Sequence, residues 1–289
     1  MKQGDLVRRK SYGGDVLFKI QQIYVHKAIL LGVEYRLIAD APITDLEFNL
    51  NQHDIEFPRS SIPLCGHSTR QLEQLRTDRL QKDKSYPSIP MRSFFEVPGK
   101  VLHVDGDLYY LRKSMQVYAE LKVPAEGFYI PESQMTHALI RLLPQVKPDI
   151  LVITGHDGIM RNTSRSKLND INNYKNSFNF VRAVQIARQY ERNLDMLTII
   201  AGACQSHFEA LLQAGANFAS SPARVLIHAL DPLCIASKMA YTSVKDTISM
   251  LDIVDLTVTG IEGLGGLESR GSCRRGIPDM QYLLWAPDD

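Results

Sequence analysis

Short apolar runs separated by turn formers occupy the start of the chain: Asp5–Arg8, Asp15–Ile20, Lys27–Leu31, Glu34–Ala39 and Asp45–Phe48, with Gly13-Gly14 and Gly32 between them. Apolar and β-branched residues in short runs bounded by glycine fit pleated, half-buried strands. Residues 1–48 are therefore expected to form a small SH3-like or Tudor-like β-barrel, either a separate binding module or a β-rich cap on a larger domain. Between 49 and 98 the pattern breaks at Pro58, Pro63, Pro87 and Pro90, and the one periodic stretch, Arg70–Lys84, carries Leu72, Leu75 and Leu80 in a charged background. That composition reads as a linker with one solvated helix.

From 99 to 289 strand and helix alternate. Lys100–Asp105 reads as a strand, Leu108–Leu121 as an amphipathic helix, Gly127–Ile130 as a strand and Gln134–Val146 as a helix. Ile150–Thr154 is the third strand. Ser177–Tyr190 comes next as a helix with Phe178, Val181, Val184 and Ala187 on one face, then Leu197–Ala201 as the fourth strand and His207–Gln213 as a helix capped by Gly215. Repeated βαβ units predict an α/β domain, a parallel sheet flanked by helices with right-handed crossovers. Further on, Val225–Leu230 reads as another strand and Thr247–Val254 as a helix or strand. Gly260–Gly271 is a glycine-rich loop that matches no phosphate-binding spacing.

The third and fourth strands each run into a reactive side chain: Gly155-His156-Asp157-Gly158 after one, Gly202-Ala203-Cys204-Gln205-Ser206 after the other. In a parallel sheet both would emerge at the edge where open α/β sheets place their sites. A free cysteine is most often a small buried hydrophobe and a lone histidine most often structural. Here the flanking glycines let backbone approach a ligand, and a helix expected near Ser206 would lower the thiol's pKa through its N-terminal amides. His156 is the candidate base and later acid, and Cys204 the nucleophile. The backbone N–H of Cys204, with one from Gly155 or Asp157, is the candidate oxyanion hole.

Composition narrows the partners. The chain has 289 residues, 44% hydrophobic and 22% charged, with a net charge of +1, so nothing points to nucleic acid or a membrane surface. The amino terminus lacks an apolar leader and no run approaches a bilayer span, which points to a cytoplasmic protein. Cys65, Cys204, Cys234 and Cys273 are widely spaced, without a disulfide framework or a zinc ribbon, and the ligand-like pair Cys204/His207 makes no site by itself. No metal and no cofactor are expected.

The order of His and Cys resembles caspase-like (clan CD) cysteine peptidases: each follows an apolar strand, forty-eight residues apart, with a small residue before the cysteine. That clan usually has glycine directly after the histidine, where this chain has Asp157. A closer resemblance covers nearly the whole chain. Gly4–Tyr12, Pro98–Asp107, Thr154–Asp157, Ala201–Glu209, Gly215–Pro222, His228–Pro232 and the late Gly263–Gly271 look like the YabG family of sporulation-specific peptidases. The resemblance implies a protease of the mother cell acting on spore-coat or coat-assembly proteins, with His156 and Cys204 as its pair. It also implies a caspase-like S1 pocket. If P1 is basic, the acidic candidates are Asp105, Asp107, Asp157 and Asp231, each otherwise a helix cap or turn residue, with Ser220 and Ser221 as further lining. The arginine-rich Ser269–Gly276 would suit self-cleavage. Two rivals stand beside this reading: an amidotransferase-type cysteine hydrolase, whose histidine follows the cysteine, as His207 and His228 do here, and a non-catalytic coat scaffold.

Overall fold

The computed structural model describes residues 1–48, 95–161 and 163–276. The linker helix expected over Arg70–Lys84, and Cys65, lie outside the described residues. At the amino terminus, β1 (Leu6–Arg9), β2 (Phe18–Ile23), β3 (Lys27–Gly32), β4 (Ile38–Pro42) and β5 (Leu46–Phe48) form an antiparallel sheet in the order β4-β3-β2-β1-β5. Alternation sorts its faces: Phe18 and Ile20 are buried and Lys19 and Gln21 exposed. Val7, Ala28, Leu30, Ala39 and Ala41 complete this small core, into which Cys204 and Ile227 of the larger domain also pack.

The fourth strand departs from expectation. It begins at Ile38, four residues later than the apolar run suggests, because the preceding segment leaves the sheet. Tyr35 bridges to His228 and Leu37 to Asp157, so residues between β3 and β4 lie across the second domain. The cause is Arg36: a guanidinium cannot sit in an apolar barrel without a partner, and its partner is a carboxylate of the other sheet.

The larger domain contains β6 (Phe95–Val97), β7 (Val101–Asp105), α1 (Leu108–Glu120), β8 (Ala125–Tyr129), α2 (Met135–Val146), β9 (Ile150–Thr154), α3 (Ser177–Tyr190), β10 (Thr198–Ala201), α4 (Phe208–Gln213), β11 (Phe218–Ser220) and α5 (Asp231–Tyr241). Then come β12 (Thr247–Ile248), α6 (Met250–Val254), α7 (Gly260–Gly263), β13 (Leu264–Gly266), β14 (Ser269–Arg270) and β15 (Arg274–Gly276). A six-stranded sheet in the order β13-β11-β10-β9-β7-β8 is parallel except for β13. Its two faces are covered separately. Ile150 and Val152 of β9 meet α1 and α5, while Leu151 and Ile153 meet α2 and α3. Burial on both sides explains why these strands read as continuous apolar runs rather than alternations.

Three further expectations change. Val225–Leu230 forms no strand and contributes a bridge to Tyr35 instead. The glycine-rich stretch after Thr259 supplies α7 and the antiparallel edge strand β13, where Gly266 lies so close to Asn217 O and Phe218 that a Cβ would collide. The buried face of α3 is Ser177, Phe180, Ala183, Val184 and Ala187, which shares Val184 and Ala187 with the predicted stripe, while Val181 is only partly buried and Phe178 is exposed under the Arg182 guanidinium.

Candidate active site

His156 and Cys204 both lie just past the carboxyl ends of neighbouring parallel strands, β9 and β10, whose register pairs Ala201 with Ile153. Gly202 makes the second approach possible: it has φ +112°, and a Cβ there would lie 2.9 Å from Leu211 Cδ1 and 3.0 Å from Ser220 Cβ. Glycine is the residue that adopts this conformation without strain. The turn continues through Gln205 in the left-handed region before α4 begins at Phe208, with His207 as N-cap. The helix starts one residue later than the expected His207 and is six residues long. Against the lowering expected from helix amides, burial pushes Cys204 up to about 12.

Asp157 explains how the two loops are held together. Its carboxylate accepts hydrogen bonds from the amides of Gly158 and Asn176 at 2.8 Å each, from Ser177 Oγ at 2.5 Å and from Ser206 Oγ at 2.9 Å. Ser206 Oγ in turn accepts from Ala203 N at 2.9 Å. One side chain thus ties the histidine loop to the cysteine loop and to the start of α3. Its carboxylate is thus taken up by the loops themselves, while its backbone N–H donates to Arg36 O at 3.1 Å.

Both dyad candidates are buried. The His156 amide donates to Glu132 Oε1 at 2.8 Å, and its carbonyl accepts from Asn176 Nδ2 at 2.8 Å. The imidazole Nε2 has no hydrogen-bond partner, with Asp107 Oδ2 3.7 Å away. Burial pushes it down to about 4, against the pull of Asp107. The thiol of Cys204 contacts the backbone of Ile227, with Ile227 N at 3.2 Å and O at 3.6 Å. The candidate nucleophile and base are thus both neutral at pH 7, with the thiol turned to the Ile227 backbone.

Arg36 touches both loops. It heads the fully buried side chains of the described residues by volume. Its guanidinium makes a two-pronged pair with Asp105, Nη1 to Oδ1 at 2.9 Å and Nη2 to Oδ2 at 2.8 Å, while Nε donates to Ala229 O at 2.8 Å. The Tyr110 ring lies under it, 4.9 Å from centroid to Cζ. Burial alone would raise the Asp105 carboxyl, but the Arg36 charge and hydrogen bonds from His103 and Arg36 hold it well below the usual carboxylate range. The main chain of the same residue is held as firmly: Arg36 O accepts from Asp157 N at 3.1 Å and from Cys204 N at 3.3 Å.

The remaining candidates separate by geometry. Asp107 caps α1, accepting from Tyr109 N and Tyr110 N, with its other oxygen toward His156. Asp231 is buried at the start of α5 and accepts from Val258 N, Thr259 N and Thr259 Oγ1. Ser221 braces the cysteine loop, accepting from Gln205 N at 3.1 Å and donating to Val225 O at 2.8 Å. Ser220 Oγ is buried and unpaired, and Gly155 is pressed against Glu132. His207 is occupied as a cap and by Asn169 O. Arg36, Tyr110 and Glu132 are contributors that sequence reasoning passed over. Only Glu132 left a local trace, as an acidic residue opening a short helical turn after β8.

Residues 2–278 match the family described as YabG peptidase U57. The chain belongs to the YabG peptidase family. It is 42% identical over 283 residues to the "Sporulation-specific protease YabG" of Bacillus subtilis (strain 168), a match covering 95% of this chain and 97% of that relative. No solved structure matches it. No helix among the described residues is long and apolar enough to cross a membrane.

Proposed function

We propose that this member of the YabG family is a cysteine endopeptidase in which Cys204 attacks the scissile carbonyl and His156 moves the proton. The observation that carries the reading is the convergence of two backbone N–H groups, of Asp157 and Cys204, on a single carbonyl oxygen between the two strand ends. Donors fixed where an oxyanion develops stabilise the tetrahedral intermediate without reorganisation. The thiol's proton goes to His156, the sulfur forms a thioester, the imidazolium protonates the departing amine, and water then releases the acid. Asp105 is the S1 carboxylate in this reading, which favours arginine at P1 because a bidentate, buried pair suits a guanidinium better than an ammonium. Asp107, 3.7 Å from His156, favours the imidazolium that forms during the step.

The relative's name supports a role in sporulation; in this reading, which for these two points rests on the family resemblance alone, the substrates are spore-coat or coat-assembly proteins and the place of action is the mother-cell cytoplasm. The test is cleavage of a coat-protein substrate with the cut sites mapped by mass. Cys204→Ala and His156→Ala are each expected to lose roughly 10³-fold or more in kcat/KM. Full cleavage by either variant would end this reading.

A further inference from the structure

The candidate cleft is not empty: a segment of the chain itself lies in it as a substrate would. Tyr35 bridges antiparallel to His228 and Leu37 bridges to Asp157, with Ile38 N donating to Asp157 O at 2.9 Å. Extended backbone pairing on both sides of one residue is how a cleft grips a peptide strand. Between those bridges, Arg36 places its side chain on the carboxylate assigned to S1 and its carbonyl oxygen on both amides assigned to the oxyanion hole. A fully buried arginine is uncommon, and burying its charge is costly unless each nitrogen is satisfied. A fold that needed only to attach its amino-terminal sheet could do so with apolar contacts. Beyond Leu37, a cavity of about 540 Å³ lined in part by Ile38, Asp40, Ile159, Lys175 and Gln205 continues the groove on the far side of the residue.

Resting on the peptidase reading above, we propose that the Arg36–Leu37 bond is the enzyme's own first substrate, cut within the same chain. Until it is cut, the bond blocks the cleft. Sulfur of Cys204 adds to the Arg36 carbonyl carbon, and the bond to Leu37 N breaks as His156 delivers the proton taken from the thiol. One water then hydrolyses the thioester, leaving a carboxylate on Arg36, an amine on Leu37 and the thiol restored. The site of self-processing thereby moves from the arginine-rich stretch near the carboxyl end, where Ser272 and Cys273 are buried and Arg274–Gly276 is paired with β6, to the amino-terminal sheet.

The experiment tracks the intact mass and new amino termini of the purified full chain, alongside hydrolysis of an arginyl peptide added in trans. Wild type is expected to yield two fragments whose masses together exceed the whole by one water, the second beginning at Leu37. Cys204→Ala should remain whole. Arg36→Gln should reduce the cut at this bond by about 100-fold or more, and Arg36→Lys, which keeps the charge, by less. If wild type hydrolyses the peptide through Cys204 while its 36–37 bond stays intact, the inference is overturned and the peptidase reading survives. If neither bond nor peptide is cut and an arginyl electrophile leaves Cys204 unlabelled, both fall.

Discussion

Asp105 and Arg36 form a pair in which neither side chain is exposed. Removing one partner of such a pair leaves an uncompensated buried charge, so Asp105→Asn should destabilise the chain by about 3–5 kcal/mol in urea unfolding. Asp105→Asn combined with Arg36→Met should recover most of that loss, a coupling that unrelated sites would not show. The buried imidazoles give a second expectation. His156 and His228 are both pushed down to about 4 by burial, from a usual value of 6.5. The unfolded chain takes up these protons first, so stability should be full above about pH 6.5 and fall as the pH drops toward 4. Denaturation midpoints across that range would check the sign. At this scale the sequence displayed His156 and Cys204 plainly, because each follows a buried strand and is flanked by glycine. It offered Asp105 as one acid among four, with nothing to single it out. It could not display Arg36, which in a linear reading is one charged residue in an apolar run. What singles it out is a carboxylate 69 positions away.

At the scale of elements, the parallel sheet was legible because strands buried on both faces and the helices between them have different periods. The edges were not. β13 contains Gly265 and Gly266, whose missing side chains make room for Phe208 and for Asn217 O and so hide a strand inside a loop-like composition. The barrel's fourth strand was misplaced for a similar reason: local apolar pattern does not reveal which sheet a residue joins. The turn from β10 into the cysteine loop offers a test of how the element supports the site. Gly202→Ala would force a side chain into positive φ against Leu211 and Ser220, costing roughly 1–3 kcal/mol. The variant should melt earlier and cleave more slowly than its loss of folded protein explains, because the strain falls two residues before Cys204. Equal stability and equal kcat/KM would contradict it.

For the molecule as a whole, the amino-terminal sheet serves as more than an appendage. It supplies the Ile38 amide to Asp157 O at 2.9 Å, the Val33 carbonyl to Tyr110 Oη at 2.5 Å and Asp40 to Lys175 Nζ at 2.7 Å. If the chain is cut after Arg36, β3 and β4 fall on different fragments, yet their ladder pairs five positions, from Lys27 with Pro42 to Leu31 with Ile38. The fragments should therefore co-elute in native size-exclusion chromatography and separate in denaturant. Separation under native conditions would show that the ladder does not hold them.

The two backbone ties that hold Arg36 in place belong to the same covalent chain as the cleft they fill. An occupant attached in this way has a local concentration fixed by the length of the connecting backbone, in the millimolar range for short tethers, and independent of how much protein is present. Dilution, which frees an enzyme from a separate inhibitor, would leave this one in place. The delay before such an enzyme acts on other proteins would then be a property of each molecule alone, a timer that runs at the same pace in a crowded cell and in a dilute tube.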